Sequence, residues 1–86
     1  MTATFVKQLR GGNWGGDARL YRLDPPMDGV EHVIVSAVHV LGLPETYIFS
    51  ARADGSDVVS WTELNGSFKG DLDHARALRN AGYDVL

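Results

Sequence analysis

Three histidines, eleven carboxylates and no cysteine set the chemistry open to this 86-residue chain. The missing thiols exclude disulfides, cysteine-ligated zinc and thiol catalysis together. His32 and His39 are seven positions apart, an odd number, so a regular strand would point them to opposite faces. His74 lies beside Asp71 and Asp73, and Asp71, His74 and a sheet residue could ligate a metal. Zinc needs about three or four converging ligands, and acids next to a histidine are equally what a helix start uses, so no metal site is assigned. Asp54-Gly55-Ser56-Asp57 fails as a calcium loop. With Gly55 in the sixth position, Arg52 falls on a ligand position and Trp61 where the terminal acid belongs. Ser36 has His39 three positions on but facing the other way. Ser50, Ser56, Ser60 and Ser67 have no base signature around them. Nothing places two of Glu31, Glu45 and Glu63 together. No catalytic residue and no cofactor are assigned, and a non-enzymatic protein is expected.

Two features point instead to contacts. Gly11-Gly12-Asn13-Trp14-Gly15-Gly16 lacks the lysine and hydroxyl residue of a phosphate loop and the helix of a dinucleotide fingerprint, so it reads as a flexible hairpin loop. Trp14 on such a loop is either a lid folded onto a small core or an exposed anchor for a partner, tryptophan being enriched among interface hot spots. Leu41-Gly42-Leu43-Pro44 is an apolar turn, either a binding patch or a turn with one leucine tucked under the sheet. Asn13, Trp14 and Leu43 are the candidate partner-binding residues. Trp61 continues an apolar run and is expected in the core.

The elements that must position these residues follow from period and punctuation. Residues 31–40 are β-branched, nearly uncharged and apolar on both faces: Val33, Val35, Ala37 and His39 alternate with His32, Ile34, Ser36, Val38 and Val40. Such a strand is covered on both sides and is the centre of a sheet. Residues 2–10 read as an edge strand with Ala3, Phe5, Lys7 and Leu9 on one face. Residues 18–23 read as a strand ended by Asp24-Pro25-Pro26, residues 46–52 as a fourth, and residues 58–61 as a short last one. Residues 62–70 are irregular, with Phe68 directed at the core. A helix follows, capped by Asp71, with Leu72, Ala75, Leu78 and Ala81 as its apolar stripe. Gly82 closes it and Tyr83 folds back on Leu78. The expected fold is α+β: an antiparallel β-meander of four or five strands with one C-terminal α-helix packed on one face, in a single domain spanning residues 1–86. Its uncovered face calls for sheet curvature, residues 61–68 or a second copy.

The totals narrow the partners. A chain this size buries only about 60% of the surface its unfolded form exposes, which makes homodimerisation a live option. The net charge of −3, with eight cations scattered among eleven acids, argues against a general nucleic-acid binder. No apolar run approaches the roughly 20 residues of a membrane helix. The first residues carry no basic and apolar leader pattern, so a cytoplasmic protein without membrane contact is expected.

The second half carries a pattern of its own: Glu45-Thr46-Tyr47-Ile48-Phe49, Ala53-Asp54-Gly55, Trp61-Thr62-Glu63-Leu64, Gly66-Ser67-Phe68-Lys69-Gly70, Asp73-His74-Ala75-Arg76-Ala77-Leu78 and Ala81-Gly82-Tyr83. Over residues 45–84 this resembles small uncharacterised accessory proteins of actinobacterial bacteriophages. The resemblance implies a small protein made inside a bacterial host cell and carries over no catalytic residue. The resulting expectation is an interaction module binding a host or phage protein. A nucleic-acid-associated regulator, using Arg52 with Arg19 or Arg22, or a minor virion structural protein is the alternative.

Overall fold

The computed structural model describes residues 1–10 and 16–86. Among these residues, six strands and one helix follow one another as β1 (Thr2–Leu9), β2 (Asp17–Met27), β3 (Val30–Val40), β4 (Leu43–Ser50), β5 (Phe68–Lys69), α1 (His74–Asn80) and β6 (Asp84–Val85). They form one sheet in the order β5-β4-β3-β2-β1-β6. All neighbours are antiparallel except β6, which runs parallel to β1. The α+β class and the C-terminal helix are as expected. The four- or five-stranded meander is corrected to a six-stranded mixed sheet. The added parallel edge comes from two residues after the helix, held by Asp84 N–H to Met1 carbonyl and Leu86 N–H to Ala3 carbonyl, each at 2.9 Å.

β3 lies at the centre as its residues predict, with Val33, Ile34 and Val35 all fully buried. One face of the sheet packs Ala3, Tyr21, Leu23, Val33, Val35 and Ile48 against Ala77, Leu78 and Tyr83. The other packs Ala18, Leu20, Ile34 and Phe49 against Ala51 and Val58. Its cover is Ala51 and Val58, with Trp61 from the expected 61–68 stretch against Phe49. Leu64 and Phe68 belong to the helix side.

Three strand boundaries differ from expectation, each for a local reason. β2 runs on through Pro25 and Pro26 because its pairing to β1 ends at Thr2↔Asp24, so the prolines owe no ladder hydrogen bond on that side. β4 begins at Leu43, since Leu41 and Gly42 alone make the turn and Pro44 pairs with His39. Residues 58–61 form no strand; Val58 makes a single bridge to Ala51. In β1 a bulge between Phe5 and Lys7 splits the expected face. Ala3 and Phe5 stay with Leu23 and Tyr21, whereas Lys7 and Leu9 pair with Leu20 and Ala18 on the opposite side.

The helix begins two residues later than its first aspartate suggests. The buried Thr46 hydroxyl donates to the Asp71 carbonyl at 2.9 Å and accepts from the Asp73 N–H at 3.0 Å, which holds residues 71–73 extended. Asp73 is therefore the N-cap, its carboxylate accepting from Arg76 N–H. The buried face becomes His74, Ala77 and Leu78, and Leu72 is left exposed. The stop is a Schellman motif: Tyr83 N–H donates to Leu78 carbonyl and Gly82 N–H to Arg79 carbonyl. Tyr83 packs in the cluster that holds Leu78, and its hydroxyl donates to Pro25 carbonyl at 2.7 Å.

Gly66 marks the tightest approach between this helix and the loop before it. Its φ is +103°, and a Cβ there would lie 2.3 Å from the Ala77 carbonyl and 3.0 Å from Ala81 and Ile48. Gly66→Ala is expected to destabilise the fold by about 2–4 kcal/mol in urea denaturation. Gly29→Ala, also at positive φ but with open space around it, should cost only about 1 kcal/mol. Equal losses would show that the close packing contributes nothing.

Candidate interaction surface

Asp17, Arg19 and His74 come together at one place. Asp17, at the start of β2, accepts hydrogen bonds from Gln8 Nε2 on β1 and from Arg19 at 2.8 Å. His74 at the start of α1 is buried, and its Nε2 donates to the Asp17 main-chain carbonyl at 2.8 Å, with the Asp17 carboxylate at 3.9 Å. The imidazole therefore carries a proton on Nε2 and faces β2. Asp71 caps Leu72 N–H and Asp73 caps the helix. The Thr46 hydroxyl beside them is occupied as donor and acceptor. The cluster joins three elements and presents no nucleophile to a base. Among the described residues, no three His, Asp or Glu side chains are grouped to hold a metal.

Two of the serines are likewise engaged locally. Ser67 Oγ donates to Leu64 carbonyl and accepts from Ile48 N–H, and Ser60 Oγ bonds to Thr62. His32 and His39 lie on opposite faces of β3, as their spacing requires.

The more distinctive surface is on the sheet face opposite the helix. Successive cross-strand pairs there are Val40↔Leu43, Val38↔Glu45, Ser36↔Tyr47 and Ile34↔Phe49. Tyr47 stacks on Phe49 with ring centroids 5.8 Å apart. Phe49 meets Trp61 edge-to-face at 5.2 Å. The three rings form a continuous aromatic strip, buried at Phe49 and open at its end, where Trp61 is 57% exposed. Val59 is exposed beside it in sequence, and Leu43 and Leu41 are exposed at the hairpin end of the same sheet.

Leu43 thus stands at the surface. Asn13 and Trp14 lie outside the described residues. Trp61, expected in the core, is corrected to an exposed ring resting on Phe49. In residues 58–61 it is Val58 that turns inward, while Val59 and Trp61 turn out. Polar Ser60, Thr62 and Glu63 around Trp61 were the signal for an outward ring, and the apolar look of the run masked it.

β2 and β4 do flank β3, and Arg22 lies opposite His32 on the aromatic side of the sheet. The His32 carbonyl accepts from Ala51 N–H, which brings the exposed Arg52 to the same end of the sheet. Arg19 lies with the other face, bound to Asp17. No helix among the described residues is long and apolar enough to cross a membrane. Comparison of the chain with protein-family models, with curated proteins and with solved structures finds no match.

Burial would raise the Asp17 carboxyl, but hydrogen bonds from Gln8 and Arg19 and the charges of His74 and Arg19 outweigh it. The group titrates below its ordinary 3.8. Because the folded-state value is lowered, its stabilisation is complete above the unfolded value and is lost as pH falls through the folded one. Asp17→Asn should therefore cost stability at neutral pH, by under about 1 kcal/mol given its exposure, and the difference should vanish in acid. Denaturant midpoints of the two proteins across pH would show it; a gap that persists in acid would assign the loss to packing.

Proposed function

We propose that this chain is a small phage-type accessory protein that acts as a non-enzymatic interaction module, binding a protein of the bacterial host in the cytoplasm. The observation that carries the reading is the aromatic strip Tyr47–Phe49–Trp61 with an exposed end on the sheet face opposite the helix. A large, rigid ring seated on other rings loses little side-chain entropy when a partner covers it, which is why such rings anchor interfaces. The resemblance over residues 45–84 to actinobacterial phage proteins supplies the setting. The local hydrogen bonding of His74, Ser60 and Ser67 supports a non-enzymatic role.

Tagged protein expressed in an actinobacterial host, with Trp61→Ala and Trp14→Ala beside it, tests the reading by affinity capture and mass spectrometry. One enriched host protein should be lost in at least one variant. Truncating an anchoring tryptophan typically costs about 2 kcal/mol or more of binding. A partner retained by both variants would remove the aromatic surface and the loop from the interface.

A second reading, a nucleic-acid-associated regulator, draws on Arg22, His32 and Arg52 at one end of the same sheet. Titration of the tryptophan fluorescence with duplex DNA at low and moderate salt separates the two. The interaction module predicts flat curves, whereas binding that weakens steeply with salt would transfer the function to the second reading.

A further inference from the structure

Asn65-Gly66 is the one Asn-Gly pair in the chain, and its setting favours a reaction within the backbone. Asn65 is exposed, and among the described residues nothing accepts the Gly66 N–H. Glycine puts no Cβ in the way of its own nitrogen, so that nitrogen can reach the side-chain carbonyl carbon of the asparagine before it. The other asparagines are placed differently. Asn13 precedes the bulky Trp14, and Asn80 precedes Ala81, whose N–H is held by the Ala77 and Leu78 carbonyls at 3.1 Å.

The same pair sits where the fold tolerates least change. Ser67 N–H closes the turn on the Leu64 carbonyl at 3.3 Å. Both flanks are tied to β4: Leu64 N–H donates to the Ile48 carbonyl, and Ile48 N–H to Ser67 Oγ, each at 2.8 Å. Gly66 between them faces α1. A Cβ there would already lie 2.3 Å from the Ala77 carbonyl, and the Gly66 carbonyl accepts from Asn80 Nδ2 at 3.5 Å.

We propose that Asn65 is a deamidation site whose isoaspartyl product loosens α1 from the sheet. The Gly66 nitrogen gives up its proton and attacks Asn65 Cγ. The N–Cγ bond forms, the Cγ–Nδ2 bond breaks, and ammonia leaves with that proton. Water then opens the cyclic imide. Addition at Cγ leaves an aspartyl residue; addition at the main-chain carbonyl leaves an isoaspartyl residue, with the chain running on through Cγ. One water is consumed and one ammonia released, and nothing is oxidised or reduced. Both products gain a negative charge, but only the isoaspartyl form lengthens the backbone, by one carbon or about 1.5 Å. With both flanks anchored to β4, the added atom either drives Gly66 against Ala77 or breaks an anchor. Because the Schellman stop of α1 leads into β6, the effect reaches the sheet edge. The site stands apart from the proposed recognition role, since α1 lies on the face opposite the aromatic strip.

The folded chain, held in mildly alkaline buffer and sampled over weeks, tests this beside Asn65→Gln and Asn65→Asp. Peptide mapping is expected to find isoaspartate at position 65, forming faster as pH rises and absent from Asn65→Gln. The purified isoaspartyl form should melt below the fresh chain, with faster hydrogen exchange in α1 and β6. Fresh Asn65→Asp should melt with the wild type, because aspartate suits the same turn position. A folded chain that keeps its asparagine amide overturns the proposal. An isoaspartyl form as stable as the fresh chain overturns it too, by uncoupling the reaction from α1. Equal destabilisation in Asn65→Asp does the same, by assigning the loss to charge.

Discussion

The structure depends on one constraint: β3 has no solvent face along its middle. Val33, Ile34 and Val35 are fully buried, so consecutive side chains on both sides of the sheet must be covered. A single amphipathic sheet with one helix meets half of that requirement. The second half is met by the segment after β4, which turns back over Leu20, Ile34 and Phe49 with Val58 facing down. Gly55 lets it lie that close. A Cβ at that position would be 2.8 Å from the Lys7 stem and 3.1 Å from Leu20.

The helix side shows how so short an element is held. Seven residues are too few for a helix to persist on propensity, so its geometry is imposed from both ends and from below. The Thr46 hydroxyl fixes the entry, Asp73 caps the first turn, and the Schellman stop turns Tyr83 down against Leu78. Arg76 lies over the Phe68 ring at 4.4 Å, tying the outer side of the helix to β5. The same stop sends the chain along β1 as β6. Helix docking and closure of the sheet edge are thus one event.

What could be read from the residues alone divides along contact range. The central strand, the hairpin order, the opposite facing of His32 and His39, and the helix stop at Gly82 and Tyr83 are written in local spacing. The parallel pairing of β6 is not, because it joins residues more than eighty positions apart and two residues leave no periodic trace. Nor is the Val6 bulge, which reverses the facing of Lys7 and Leu9 through pairing with β2. The choice of Asp73 over Asp71 as cap was open between two aspartates and was decided by a hydroxyl on β4. At the candidate surface, Leu43 was legible as an apolar residue in a turn. Trp61 was misassigned because one valine of its run faces in and the next faces out.

These two lessons meet at the β3–β4 hairpin. The segment covering the second face leaves β4 at its far end and spreads over the rows of Phe49 and Ile34, with Trp61 as its margin. The hairpin continues the other way, where Gly70 N–H bonds to the Pro44 carbonyl at 2.8 Å and the turn at Leu41 and Gly42 follows. A small chain has only so many residues with which to wrap a sheet covered on both sides, and the described residues place that cover where β3 is most apolar. Trp61 at that margin and Leu41 and Leu43 at the hairpin are what the described covering segments leave exposed. They are nonetheless apolar, where a surface serving only solubility would carry charge. Folding explains why these positions are open; it does not explain why they are apolar, and that difference is what the proposed recognition role would account for.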